Sequence, residues 1–207
     1  MYSILPSFVL GFHGCDRAIG EEVLAGRCSL ALSDNDHDWL GPGTYFWENS
    51  PERAKSYVQS LMQRPKRATK PIAEPFVLGA VIDLGYCLNL SDESALLEVK
   101  AAHDVLAAAM SMYSEQEKPK NIAVHKQDTD LLKRNLDCAV FKSLHALRLQ
   151  SHQAPYETIR SPFLEGPPLY HQAGFRTQTH IQICVRERSC IKGFFRPLKP
   201  DGSLLFG

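Results

Sequence analysis

The chain has 207 residues, with 23 basic against 23 acidic side chains, 44% hydrophobic residues and six cysteines, the make-up of one globular domain spanning 1–207. Charged residues at 22%, with thirteen each of Gly and Pro, lie near average usage and argue against long disorder, a collagen-like repeat and a coiled coil. A net charge of zero argues against nucleic-acid binding through bulk electrostatics and leaves only a local basic patch.

No apolar run approaches the roughly 18 residues that span a bilayer. The opening MYSILPSFVL lacks the basic lead of a secretory signal, so a cytoplasmic location is expected. Cys15, Cys28, Cys87, Cys138, Cys184 and Cys190 are scattered, with no CxxC pair and no histidine at zinc-finger spacing. Reduced thiols and no metal site are expected, with Cys138 and Cys184 acting as small buried hydrophobes in their apolar surroundings.

In chain order, the apolar run FVLGFH at 8–13 reads as a strand that ends in a turn at Gly14. A helix is expected over 17–25, carrying Ile19, Val23 and Leu24 with Gly26 as its stop. SDNDHDWLGPG is a loop whose Asp34, Asp36, His37 and Asp38 read as a solvated turn. Ser50 followed by Pro51 and Glu52 starts a helix that runs to about Gln63. Residues 64–70 (RPKRATK) form a basic loop, and 76–84 (FVLGAVIDL) a central strand.

Ser91, Glu93 and Ser94 open a helix expected to reach Met112. After the polar SEQEKPKN, a helix is expected over 128–149, where Leu131, Leu132, Leu136, Val140, Leu144 and Leu147 recur at helical spacing. Residues 152–175 hold six Gly and Pro residues and read as irregular, and THIQICV at 179–185 reads as a strand. There is no internal repeat. Few, separated strands among helices give an α+β class with helices around a small split sheet.

Two fragments carry chemistry: GFHG at 11–14 and LGPGTYFWENSPERA at 40–54, about thirty residues apart. Together they resemble the first two motifs of the ADP-ribosyltransferase superfamily, on its poly(ADP-ribose)-polymerase-like side. There a strand ends in His-Gly, and a Gly-x-Gly-x-Tyr-Phe strand precedes a helix with small residues. The third motif of that family lies on a late strand after a loop, the place THIQICV occupies. The resemblance therefore implies a triad of His13, Tyr45 and Gln182 on an ADP-ribosyltransferase-like split β-sheet core. The segment 157–197, with RSPFLEGPPLY and HIQICVRERSCIKGFFRP, also resembles a bacterial group of uncharacterised transferase-like proteins.

The implied substrate is NAD, used as ADP-ribose donor with no metal. Cleaving its nicotinamide–ribose bond passes through an oxocarbenium-like state, so the site must hold the nicotinamide, fix the ribose and tolerate positive charge. The resemblance assigns His13 to a ribose hydroxyl and the backbone N–H and C=O of Gly14 to the carboxamide, a close approach that suits a residue without Cβ. Tyr45 would stack on the nicotinamide. Tyr57 would form a second wall, with Ser56 as the alternative in register, Trp47 as a further aromatic, and Ser50 assigned to the same dinucleotide site.

Gln182 stands where many relatives carry glutamate. Its amide can accept a hydrogen bond but cannot offset positive charge, so transfer of single ADP-ribose units rather than chain growth is implied. Glu165, in the loop before that strand, is the reserve carboxylate. Read without the resemblance, His13 is a hydrogen-bonded structural histidine, Tyr45 a core aromatic and Gln182 an outward polar position. His103 and His145, on helical faces, read as packed or solvated.

The expected activity is mono-ADP-ribosylation of a macromolecule, protein or nucleic acid, by a toxin, defence factor or effector that a neutralising partner could restrain. Arg64, Lys66, Arg67 and Lys70 could track the phosphates of a nucleic-acid acceptor. The alternatives are an NAD glycohydrolase of the same fold and an inactive NAD- or ADP-ribose-binding protein. A tRNA 2′-phosphotransferase ranks low, because its basic and histidine-rich motifs do not occur here.

Overall fold

The computed structural model describes residues 8–64, 71–123, 130–199 and 201–205. In chain order these form β1 (Phe8–Asp16), α1 (Arg17–Leu24), β2 (Thr44–Glu48), α2 (Pro51–Gln63), β3 (Pro75–Asp83), β4 (Cys87–Asn89) and α3 (Glu93–Ala109). There follow β5 (Asn121–Ile122), β6 (Lys133–Arg134), α4 (Asn135–Gln150), β7 (Thr158–Phe163), β8 (His180–Val185) and β9 (Ile191–Phe195). Seven strands bond in the order β4-β7-β8-β2-β1-β3-β9, and β5 and β6 make a separate ribbon. The class is mixed α+β. Only β4 and β7 run parallel.

The sheet is covered on both faces, which explains the nearly unbroken apolar run of β3. On one face Val23 of α1 packs with Phe46, Leu78, Ile82, Ile183 and Val185. On the other, Ala54 of α2 meets Phe12, Trp47 and Val77, while α3 and α4 bring Ala102, Phe141 and Leu144 onto Leu88, Ile159 and Cys184. Asp16 starts α1 by accepting from the Ala18 N–H at 3.0 Å. Its other oxygen accepts from Ala73 and Glu74 at 2.6 and 3.1 Å, tying that corner to the start of β3.

Several elements differ from the sequence expectation. β1 does not stop at His13 but continues through Gly14 and Cys15 to Asp16, all paired with β3. α3 is capped by the Asp92 carboxylate, which accepts from Ser94 N–H at 3.1 Å, and ends at Ala109. α4 begins at Asn135, so Leu131 and Leu132 precede it although they match its apolar spacing. The Asn121 side chain accepts from the backbone N–H of Leu136 and Asp137, at 3.0 and 3.2 Å, and so caps the helix at this later start. The segment read as irregular contains β7. Its Pro162 is tolerated because Arg160 C=O accepts from Leu90 on the β4 side. By alternation Pro162, which lacks an N–H, faces that same side beyond the last β4 pair, Asn89↔Arg160.

Candidate functional site

The sheet opens between β1 and β2. Their ladder has only the pairs Gly11↔Glu48 and Phe12↔Trp47, against nine pairs between β1 and β3. Asn49 N–H donates to Leu10 C=O at 2.9 Å. Alternation along an antiparallel strand then aims the N–H and C=O of Phe12 and Gly14 toward β2, and those of Trp47 and Tyr45 toward β1. The next rung would join Gly14 to Tyr45. Instead, His13 Nδ1 lies 2.8 Å from the Tyr45 carbonyl oxygen, so the imidazole occupies the acceptor that Gly14 N–H would have used. The strands part there, and the main chain of Gly14 faces the gap.

Because Tyr45 O can only accept, Nδ1 of His13 carries the proton and Nε2 presents a lone pair. Burial lowers the pKa of His13, outweighing the opposing effect of the Tyr45 hydrogen bond, so the ring is neutral at pH 7. The fold gives the glycine at 14 a steric reason of its own. A Cβ there would meet the Ala54 carbonyl oxygen at 2.5 Å and Val58 Cβ at 3.0 Å, so its absence lets α2 lie close against β1.

One row of paired residues crosses four strands: Phe12, Trp47, Gln182 and Ser161. Paired residues share a face, so Gln182 stands between Trp47 and Ser161 on the side covered by α2. Its amide has no hydrogen-bond partner among the described residues. Tyr57 packs against the Trp47 ring with centroids 4.9 Å apart, so the pair lies on the face that Gln182, the cross-strand neighbour of Trp47, shares.

Tyr45 shares this face one row further on, opposite Cys184. Its hydroxyl donates to Gly41 C=O at 2.6 Å and accepts from Leu40 N–H at 2.9 Å, and its ring packs on the cluster under α3 and α4. The aromatic that meets Tyr57 is therefore Trp47. His13 belongs to the opposite face, with its ring 5.8 Å from Phe46, and reaches the gap through the parted strands. Ser50 stands at the N-cap of α2 without a side-chain capping bond, and Ser56 bonds back to the Arg53 carbonyl at 3.0 Å.

Glu165 accepts from Arg53 Nη2 at 2.6 Å, with the two side chains only 13% and 14% exposed. His180 Nδ1 is 3.9 Å from the same carboxylate and donates to Gln178 C=O at 2.7 Å. Burial lowers the pKa of His180 against the opposing Gln178 bond, Arg53 adds to the lowering and Glu165 counters it. The ring is neutral, with Nε2 as acceptor. On the other face Glu48, the acid of the second motif, is held by Arg160 through bonds of 2.6 and 2.9 Å.

The structure thus sets Trp47, Tyr57 and Gln182 on the face that α2 covers, with the Gly14 main chain at the open end of the rows and Glu165, held by Arg53 near His180, at the opposite, Asn49 end. His13 enters from the other face and Tyr45 is set into the neighbouring core. Arg53 and His180 were not singled out from sequence. The signal for Arg53 was available, since a cation in the first turn of a helix opposes its dipole. Arg64 is exposed, while Lys66, Arg67 and Lys70 lie outside the described residues. Among the described residues no group of three His, Cys, Asp or Glu could hold a metal ion, and no helix is long and apolar enough to cross a membrane. No protein-family model, no curated protein and no solved structure matches the chain.

Proposed function

We propose that this chain is an NAD-dependent mono-ADP-ribosyltransferase with the split-sheet core of that superfamily, acting on a macromolecular acceptor as a toxin, defence factor or effector does. The observation that carries this reading is the replaced rung between β1 and β2. The imidazole of His13 takes the Tyr45 carbonyl, which leaves the adjoining Gly14 main chain as a donor and acceptor pair for a carboxamide.

In this reading the nicotinamide ring lies against the Trp47–Tyr57 pair, and His13 Nε2 accepts from a ribose hydroxyl. The bond between nicotinamide nitrogen and anomeric carbon breaks, and nicotinamide leaves with its electron pair. The acceptor nucleophile then bonds the same carbon from the opposite side and loses its proton. Gln182 accepts a ribose hydroxyl bond but brings no charge, and Glu165, the carboxylate that Arg53 holds, is the candidate to offset the oxocarbenium.

The test is incubation of purified protein with NAD labelled in its adenylate and a cell lysate, followed by separate protease and nuclease digestion. Label removed by one digestion identifies the acceptor class. Nicotinamide release with no labelled macromolecule makes water the acceptor, and binding of NAD without release makes the chain a binding protein. Either of these outcomes overturns the transferase reading.

A further inference from the structure

Over the Trp47 ring lies Arg53, a residue with no role in the triad. Arg53 sits in the first turn of α2, where the helix dipole disfavours a cation, so its position is not explained by helix stability. Its side chain bridges two elements. Nη2 donates to Glu165 in the loop after β7 at 2.6 Å and approaches Gln178 Oε1 at 3.5 Å. Its guanidinium carbon lies 5.6 Å from the Trp47 ring centroid, on a ring that also meets Tyr57 at 4.9 Å and His180 at 6.3 Å.

Three buried polar atoms in this cluster, Arg53 Nε, Trp47 Nε1 and His180 Nε2, have no hydrogen-bond partner among the described residues. Trp47 is 4% exposed and the His180 side chain 1%. Two unpartnered donors and one acceptor beside a held carboxylate suit a ligand rich in hydroxyl and phosphate oxygens better than they suit a finished core.

Building on the transferase reading, we infer that Arg53 is a positioning residue for NAD cleavage: it fixes the Glu165 carboxylate and the Trp47 ring on the flank of Gln182. The planar fork matters, because one guanidinium gives Nη2 to the carboxylate while its carbon lies over the indole ring, which a single ammonium cannot do together.

The test uses the full chain and reads nicotinamide release with NAD and the lysate that supplies the acceptor, NAD binding by indole fluorescence of the purified chain, and the thermal melt. Arg53→Ala is expected to lower kcat at least about tenfold, with KM changed less than about threefold, at temperatures far below its melt. Arg53→Lys is expected to recover only part of that loss. Glu165→Gln should lower kcat by a similar factor, and Arg53→Ala added to it should cost less than about threefold more, because both act through one carboxylate. Losses that multiply in the double variant overturn the inference, as does a folded Arg53→Ala with full kcat. Should Arg53→Ala fail to fold, Arg53→Lys and Glu165→Gln decide, and full kcat in Glu165→Gln overturns it. Wild-type protein that does not cleave NAD, whether or not it binds it, overturns the transferase reading and this inference together. An active wild type with indifferent Arg53 variants overturns this inference alone.

Discussion

The imidazole of His13 and the carbonyl of Tyr45, 2.8 Å apart, replace a backbone rung with a side-chain bond, and the sheet parts at that point. One bond therefore does two things: it fixes the ring with Nε2 free to accept, and it holds Gly14 away from Tyr45. His13→Ala should lower nicotinamide release by at least about ten- to a hundredfold while the melt shifts little, because the half-buried site holds little of the core. Release and melt measured on the same sample check this. Loss of activity only in step with loss of the folded state would make His13 structural.

Gly14 is tested by a different logic. A methyl at this position points at α2, not into the gap, and meets backbone at the Ala54 oxygen. Gly14→Ala should therefore cost about 1–3 kcal/mol by overpacking and should lower the melt and the activity together. A variant with an unchanged melt and no activity would instead show that the methyl blocks the dinucleotide.

Much of the frame was legible because its signals are local. Pro51 at the first turn of α2 and the unbroken apolar run of β3 each state their structure within a few residues. β7 was hidden because it carries Pro162, whose place depends on where β4 ends, a fact about another strand. The start of α4 was hidden likewise, since the Asn121 side chain that caps it lies 15 residues away in sequence. At the site, the motif residues could be named from sequence, but their faces could not. That Trp47 rather than Tyr45 meets Tyr57 follows from the strand register and from two hydrogen bonds that set the Tyr45 hydroxyl into the core.

Stability should fall as pH drops from 7 to 5. Burial, with the charges of Arg186 and Arg148, lowers the His145 pKa to about 3, and Arg186 donates to its Nδ1 at 3.0 Å, so the folded ring stays neutral. The unfolded chain protonates this histidine near 6.5, so between about 6.5 and about 3 the unfolded state binds more protons. The stability is fully present above that window and declines within it by up to about 1.4 kcal/mol per pH unit. His13 and His180, also lowered by burial, act in the same direction. Melts at pH 7 and pH 5 should differ more for wild type than for His145→Asn, whose amide oxygen can still accept from Arg186. Equal differences would remove His145 from the account.

Gln182 gives the sharpest test of the chemistry, because it lies between Trp47 and Ser161 in one row with an amide that is neutral at every pH. If that amide accepts a bond from the reacting ribose, Gln182→Ala should cost about 1 kcal/mol or more of transition-state stabilisation, a fivefold or greater fall in transfer. Gln182→Glu keeps the acceptor and adds a charge that opposes the oxocarbenium. NAD cleavage should then be retained or rise even if transfer to the natural acceptor falls. The two variants separate hydrogen bonding from charge, and Glu165→Gln completes the set. A silent Gln182→Ala, together with a Glu165→Gln that abolishes cleavage, would move the third catalytic position from the strand to the loop before it, onto the carboxylate that Arg53 holds.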